Sequence, residues 1–203
     1  TGLKNSSLNA KTGAMVQTWI LRADISPVEA VKTGSDESIC GDCRHRGVAI
    51  DGKPVGRSCY VTVWQAPRSV FESWRRGIYP AVSTQEAADL LAGRNVRLGS
   101  YGDPAAVPLT VWRKAVRKAG ALTGYTHAWR HCPVGFRDLC MASADTALEK
   151  LEAESKGYRV FRVMPQGESK LVGEVVCPAS KEAGYKTNCA ACKACGGLSA
   201  KAR

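Results

Sequence analysis

Three cysteines fall within seven residues of this chain: Cys189, Cys192 and Cys195, inside the segment NCAACKACGG. Thiolates this close, separated mostly by alanine, can converge on one point. They cannot all pair as disulfides, because their number is odd and C-x2-C bridges between near neighbours are strained. Any fold the chain adopts must therefore bring this loop to a shared centre. Cys177 extends the group to C-x11-C-x2-C-x2-C, and Cys40, Cys43 and Cys59 form another, C-x2-C-x15-C. Seven of the nine cysteines are thus grouped, and the pattern predicts a metal protein.

The C-x2-C-x2-C run is the spacing at which bacterial ferredoxins take three of four cluster ligands from one loop. Cys177 supplies the fourth thiolate, and Gly196-Gly197 lets the backbone curl around the sulfides. This predicts a [4Fe–4S] cluster, with tetrahedral zinc as the alternative. The first group offers three cysteines, with His45 and Cys132 as candidates for a fourth ligand. Zinc held with His45 is one reading. A cluster held by three cysteines is the other, and it leaves one iron open to substrate or cofactor, as S-adenosylmethionine radical chemistry requires. Cys140 lies in an apolar stretch and reads as a small core residue.

A chain of 203 residues is predicted to form a single domain: an N-terminal arm over 1–15, a β/α core over 16–176 and a cluster-binding segment over 177–203. No apolar run approaches the roughly 18 residues that cross a bilayer. The opening residues carry no apolar export signal, so a reducing, cytoplasmic setting is expected, and there thiols ligate metals rather than cross-link. The net charge of +11 favours polyanionic partners, nucleic acid or an acidic host protein.

Along the chain, strands are predicted at Val16 to Leu21, Val96 to Tyr101, Gly124 to Trp129, Leu139 to Ser143, Tyr158 to Val163 and Gly173 to Val176. A long loop carries Cys40, Cys43 and Cys59. Helices are predicted from about Pro67 to Arg76, from the capping-box pair Ser83/Glu86, after Pro108, and from Thr146/Glu149 to Gly157. Alternation of this kind predicts an α/β fold, an open, partial parallel β/α barrel. Trp19, Trp64, Trp74 and Trp112 read as core, and the helix after Thr146 carries Ala147, Leu148 and Leu151. Polar residues that follow strands, including Gly102-Asp103-Pro104, His127, Arg130, Asp145 and Cys177, are expected to gather at one rim.

The series SICGDCRHRG, SCYVTVWQAP, VRLGSYGDPAAVP, GYTHAWR, LCMASADT, VVCPAS and NCAACKACGG resembles a family of uncharacterised cysteine-rich proteins encoded by phages and plasmids. That resemblance implies a viral or mobile-element origin. A further resemblance is to the radical S-adenosylmethionine fold: Cys40, Cys43 and Cys59 with Tyr60 look like its cysteine loop, although that superfamily spaces its cysteines C-x3-C-x2-C. Gly102-Asp103-Pro104 looks like its glycine-acid-proline turn, which implies that Gly102 and Asp103 bind the cofactor's amino group. Asp103, His127, Arg130 and Asp145 are the candidate catalytic residues. His127 and Arg130 would hold an anionic group, while Asp103 and Asp145 also suit turn and capping roles. No phosphate-binding loop, H-E-x-x-H site or nucleophile elbow occurs. The competing function is a zinc-stabilised, basic nucleic-acid-binding protein.

Overall fold

A computed structural model describes residues 1–199; the last four positions of the expected C-terminal segment lie outside the described residues. The elements are β1 (Val16–Gln17), α1 (Pro27–Thr33), α2 (Glu37–Cys40), β2 (Val48–Ile50), β3 (Lys53–Val55), α3 (Ala66–Arg75), α4 (Thr84–Leu90), β4 (Asn95–Arg97), α5 (Leu109–Ala115), β5 (Ala121–Thr123), β6 (Tyr125–Thr126), β7 (Met141–Ala144), α6 (Ala147–Ser155), β8 (Val160–Arg162) and α7 (Cys189–Cys192). The fold is mixed α/β. One parallel sheet runs β1-β4-β5, a second runs β6-β7-β8, and β2 and β3 form an antiparallel hairpin. Among the described residues the strands do not close into a barrel.

Gly124 alone separates β5 from β6, and it joins the two sheets. Its carbonyl accepts from Met141 N–H on β7 (3.0 Å), but its own N–H donates to the Cys195 carbonyl (3.0 Å). At this one residue the ladder is surrendered to the C-terminal segment. A side chain would not fit, because a Cβ on Gly124 would stand 2.8 Å from Cys140 Sγ and 3.2 Å from Leu98 Cβ.

Parallel register sorts the strand residues onto two faces. Val16 pairs with Val96, and Val96 with Leu122. These pack under Leu91, Trp112 and Val116 of the α4–α5 layer. Ala142 and Val160 pack with Trp129, Ala153 and Tyr158 beneath α6. The opposite face carries Arg97 and Thr123, alternate in register, and Met15, Ala179 and Cys189 cover it. One face is thus a conventional apolar core, and the other meets the cysteine-bearing tail.

Helix starts follow local chemistry. Ser26, Ser83, Thr146 and Asn188 each accept a backbone N–H of the first turn, and Ser83 with Glu86 closes a full capping box. The expected pairing of Thr146 with Glu149 is only half made: Thr146 caps Glu149 N–H, while the Glu149 carboxylate accepts from Asp145 N–H at 2.7 Å.

Several expectations are corrected. The long first loop contains α1, α2 and the β2–β3 hairpin. Gly173 to Val176 forms no strand; its valines face solvent, and Glu168 and Glu174 pair instead with Arg162 at 2.5 and 2.7 Å. Leu148 and Leu151 are 76% and 61% exposed, because Ala153 is the residue of α6 that meets the sheet. Trp64 is 67% exposed and Trp74 is 42% exposed, while Trp112 is buried with its Nε1–H donating to the Pro104 carbonyl (2.8 Å). The N-terminal arm is stitched to the sheet edge by Gln17 N–H donating to Thr1 O (2.9 Å) and Arg94 donating to Gly2 O (2.8 Å).

Gly124→Ala is expected to lower unfolding free energy by about 1–3 kcal/mol, read as a shifted denaturant midpoint at constant slope.

Candidate metal centres

The C-terminal thiols owe their placement to a single helical turn. Asn188 Oδ1 accepts from Ala191 N–H (3.0 Å) and starts α7, so Cys189 and Cys192 fall three residues apart on one side. Lys193 then takes a left-handed conformation (φ 58°), which reverses the chain and returns Cys195 toward Gly124. Cys189 N–H donates to the Lys11 carbonyl at 2.7 Å, pinning the turn to the N-terminal arm. The thiol of Cys195 feels the charges of Cys177, Cys189 and Cys192, and that of Cys189 feels Cys177 and Cys192. All four expected ligands therefore share one neighbourhood. A cleft of about 1330 Å³ opens beside them, bordered also by Thr123, Met141 and Phe161.

Burial raises the Cys189 and Cys195 thiols above their usual range, and for Cys189 the nearby Arg97 guanidinium opposes the rise. Arg97 is 6% exposed; its Nη2 donates to Tyr60 Oη (3.0 Å), its Nη1 has no partner, and its guanidinium lies 5.6 Å from the Tyr125 ring centre. Nothing in the cysteine spacing points to Arg97 or Tyr125. The one signal is a charged residue between the apolar Val96 and Leu98.

In the first group, Cys40 ends α2 and Cys43 opens the 3-10 turn Arg44–Arg46. The β2–β3 hairpin returns the chain so that Ser58 and Cys59 both donate backbone N–H to the His45 carbonyl (3.1 and 2.9 Å). Each of Cys43 and Cys59 adds to the charge felt at Cys40. Burial pushes the Cys40 thiol up to about 12 and the Cys43 thiol up to about 11. Neutral thiols of this kind are poor nucleophiles without a cation beside them. No cysteine is in a disulfide. Buried Asp36 holds this loop in shape: its Oδ1 lies 3.1 Å from Arg46 and its Oδ2 3.6 Å from Arg57. Cys132 Sγ lies 3.4 Å from the Tyr158 hydroxyl, and Cys140 is fully buried.

The rim residues divide by role. Asp103 is 8% exposed and engaged throughout: Oδ1 accepts from Thr126 Oγ1 (2.7 Å) and Ala105 N–H (2.9 Å), and Oδ2 from His127 N–H (2.7 Å). Gly102, at φ 77°, packs against Ile20 with no room for a Cβ. Arg130 stacks on Trp129 at 4.1 Å and pairs with Glu152 at 2.7 Å. Asp145 Oδ1 lies 2.8 Å from His45 Nε2, and Oδ2 lies 3.3 Å from Arg44 Nε. His127 Nε2 is buried with no hydrogen-bond partner, and burial lowers the basicity of its imidazole. Ligand atoms of His45, His127 and Asp145 lie within 4.8 Å of one another, and among the described residues no three thiols do so. His127, Asp145 and Cys43 border a pocket of about 200 Å³. Cys177 belongs with the other thiols against the sheet face.

Asp36→Ala strands two largely buried guanidinium groups, and is expected to cost about 3–5 kcal/mol and to loosen the Cys59 return, measured by denaturation and by metal content of the first group. Compared with known proteins, this chain matches no family model, no curated protein and no solved structure.

Proposed function

We propose that this chain is an iron–sulfur protein, with one [4Fe–4S] cluster on Cys177, Cys189, Cys192 and Cys195 and a second centre on Cys40, Cys43 and Cys59. The observation that supports the proposal is that Cys177, Cys189, Cys192 and Cys195 line one cleft and act on one another electrostatically, with the Arg97 guanidinium beside Cys189. Four thiols, three of them from one C-x2-C-x2-C turn, are the donor set a [4Fe–4S] cluster takes. Arg97 supplies positive charge where bound sulfide and thiolate accumulate negative charge, and the Cys195 carbonyl is already anchored to Gly124.

Tyr60, the neighbour of Cys59, reaches Arg97 by a hydrogen bond, and Arg97 lies within the field of Cys189. This continuous polar path favours a redox role in which the two centres communicate. Three protein ligands at the first centre leave one iron accessible. An open β/α barrel with S-adenosylmethionine at that iron is the finer version of the proposal, but Asp103 already accepts three internal hydrogen bonds, so the cofactor's amino group gains little there. Among the described residues no helix is long and apolar enough to cross a membrane. Free thiols throughout the chain fit a reducing compartment such as a host cytosol.

Protein purified without oxygen is expected to be brown, with iron, acid-labile sulfide and a paramagnetic signal on reduction. Cys192→Ala should lose the iron of the C-terminal centre alone, and Cys43→Ala that of the first alone. Colourless protein with stoichiometric zinc and no sulfide would instead establish the zinc-stabilised reading, for which salt-sensitive binding to nucleic acid is the companion measurement.

A further inference from the structure

The rim carries a second kind of donor set, free of sulfur. His45 lies in the 3-10 turn that follows Cys43, His127 is the first residue beyond β6, and Asp145 is the first beyond β7. Strands β6 and β7 are parallel and adjacent, so their C-terminal ends deliver His127 and Asp145 side by side. This is where open parallel sheets place their ligands. The first cysteine loop then lowers His45 onto the pair.

The hydrogen bonding around the three side chains leaves one buried nitrogen, His127 Nε2, without a partner. The His45 Nδ1 lies 2.7 Å from Ser58 Oγ and its Nε2 lies 2.8 Å from Asp145 Oδ1. When Nδ1 carries the proton and donates to Ser58, the Nε2 lone pair faces a carboxylate oxygen, and two acceptors at that distance repel unless a cation lies between them. A proton on Nε2, with Ser58 donating to Nδ1, satisfies this pair, and the buried His127 Nε2 stays unpaired in either tautomer. The imidazoles of His45 and His127 are edge to face, with ring centres 5.6 Å apart and planes at 68°, so both can turn a nitrogen toward a common point. A single cation satisfies all three atoms at once.

We infer that His45, His127 and Asp145 bind one divalent first-row transition-metal ion, zinc or ferrous iron, separate from the thiol centres. Two imidazoles and one carboxylate are a donor set such ions take readily while keeping coordination positions open. The open side faces the pocket of about 200 Å³, whose walls include Cys43, Arg44 and Ser143. Its volume admits water or a small polar molecule, which the ion would polarise. Around the donors stand supports of the kind that orient metal ligands: Ser58 at His45 Nδ1, Arg44 at Asp145 Oδ2 (3.3 Å), and the Glu149 carboxylate at Asp145 N–H (2.7 Å). The inference does not rest on what fills the cysteine centres.

Cobalt(II) added to the whole protein, with its cysteine centres as purified, tests the site. One equivalent should bind with weak visible d–d bands and no thiolate-to-cobalt charge-transfer band, and zinc should displace it. His127→Gln and Asp145→Asn should each abolish that equivalent while the metal content of the cysteine centres stays unchanged. Exposed Ser58→Ala, which leaves the core untouched, should weaken cobalt affinity by about 10–100-fold. Failure of the native protein to bind cobalt overturns the site and leaves Ser58, His45 and Asp145 as a metal-free hydrogen-bonded relay. A thiolate charge-transfer band overturns it in favour of Cys43 ligation. Undiminished binding in the His127 and Asp145 variants, or unchanged affinity in Ser58→Ala, overturns it as well.

Discussion

Asp103 is the residue on which the chemistry-bearing side of the molecule depends. Its backbone N–H donates to the Ile39 carbonyl, one residue before Cys40, while its carboxylate gathers Thr126, His127 and Ala105. Four stretches of chain are thereby fixed to one residue: the end of α2, the turn after β4, the following 3-10 turn and the end of β6. A buried carboxylate is tolerable only when its lone pairs are answered, and here the answering donors belong to the segments that must be positioned. The same bonds that satisfy Asp103 aim His127 at the rim.

The two faces of the sheet are put to different uses. Beneath α4, α5 and α6 the strands show valine, leucine and alanine, and burial of apolar area there holds the fold together. The opposite face contains Arg97, Tyr125 and Thr123, and the cysteine tail lies over it. A buried guanidinium with an unpaired Nη1 costs stability in isolation. Opposite a sulfur-rich anionic centre it becomes a counter-charge. The first thiol group is organised in the reverse sense, by a buried carboxylate, Asp36, clamping two arginines.

Reading the sequence was most successful where the determining contacts lie within a few residues. Ser83 with Glu86 and Thr146 before α6 act over one turn, so their effect is written locally. It was least successful where burial depends on distant partners. Leu148 and Leu151 have helical spacing yet face solvent, because α6 presents Ala153 to the sheet. Gly173 to Val176 has the composition of a strand but no adjacent edge to join, and Arg162 captures the segment by ion pairing instead. Glu149 has capping-box spacing, yet its carboxylate serves Asp145, one residue further out. Trp64 reads as core by residue type and lies largely exposed, since the loop that carries it runs across the surface.

The amino-acid sequence alone determined the inventory of thiols, the short turn that groups Cys189 with Cys192, and the alternation of strand and helix, because each rests on interactions between near neighbours. The tertiary structure alone decided that Arg97 would face the C-terminal thiols and that His45, His127 and Asp145 would meet. Those encounters are set by the register of parallel strands and by the hairpin that folds the first cysteine loop back, and both are fixed only when the two faces of the sheet find their partners.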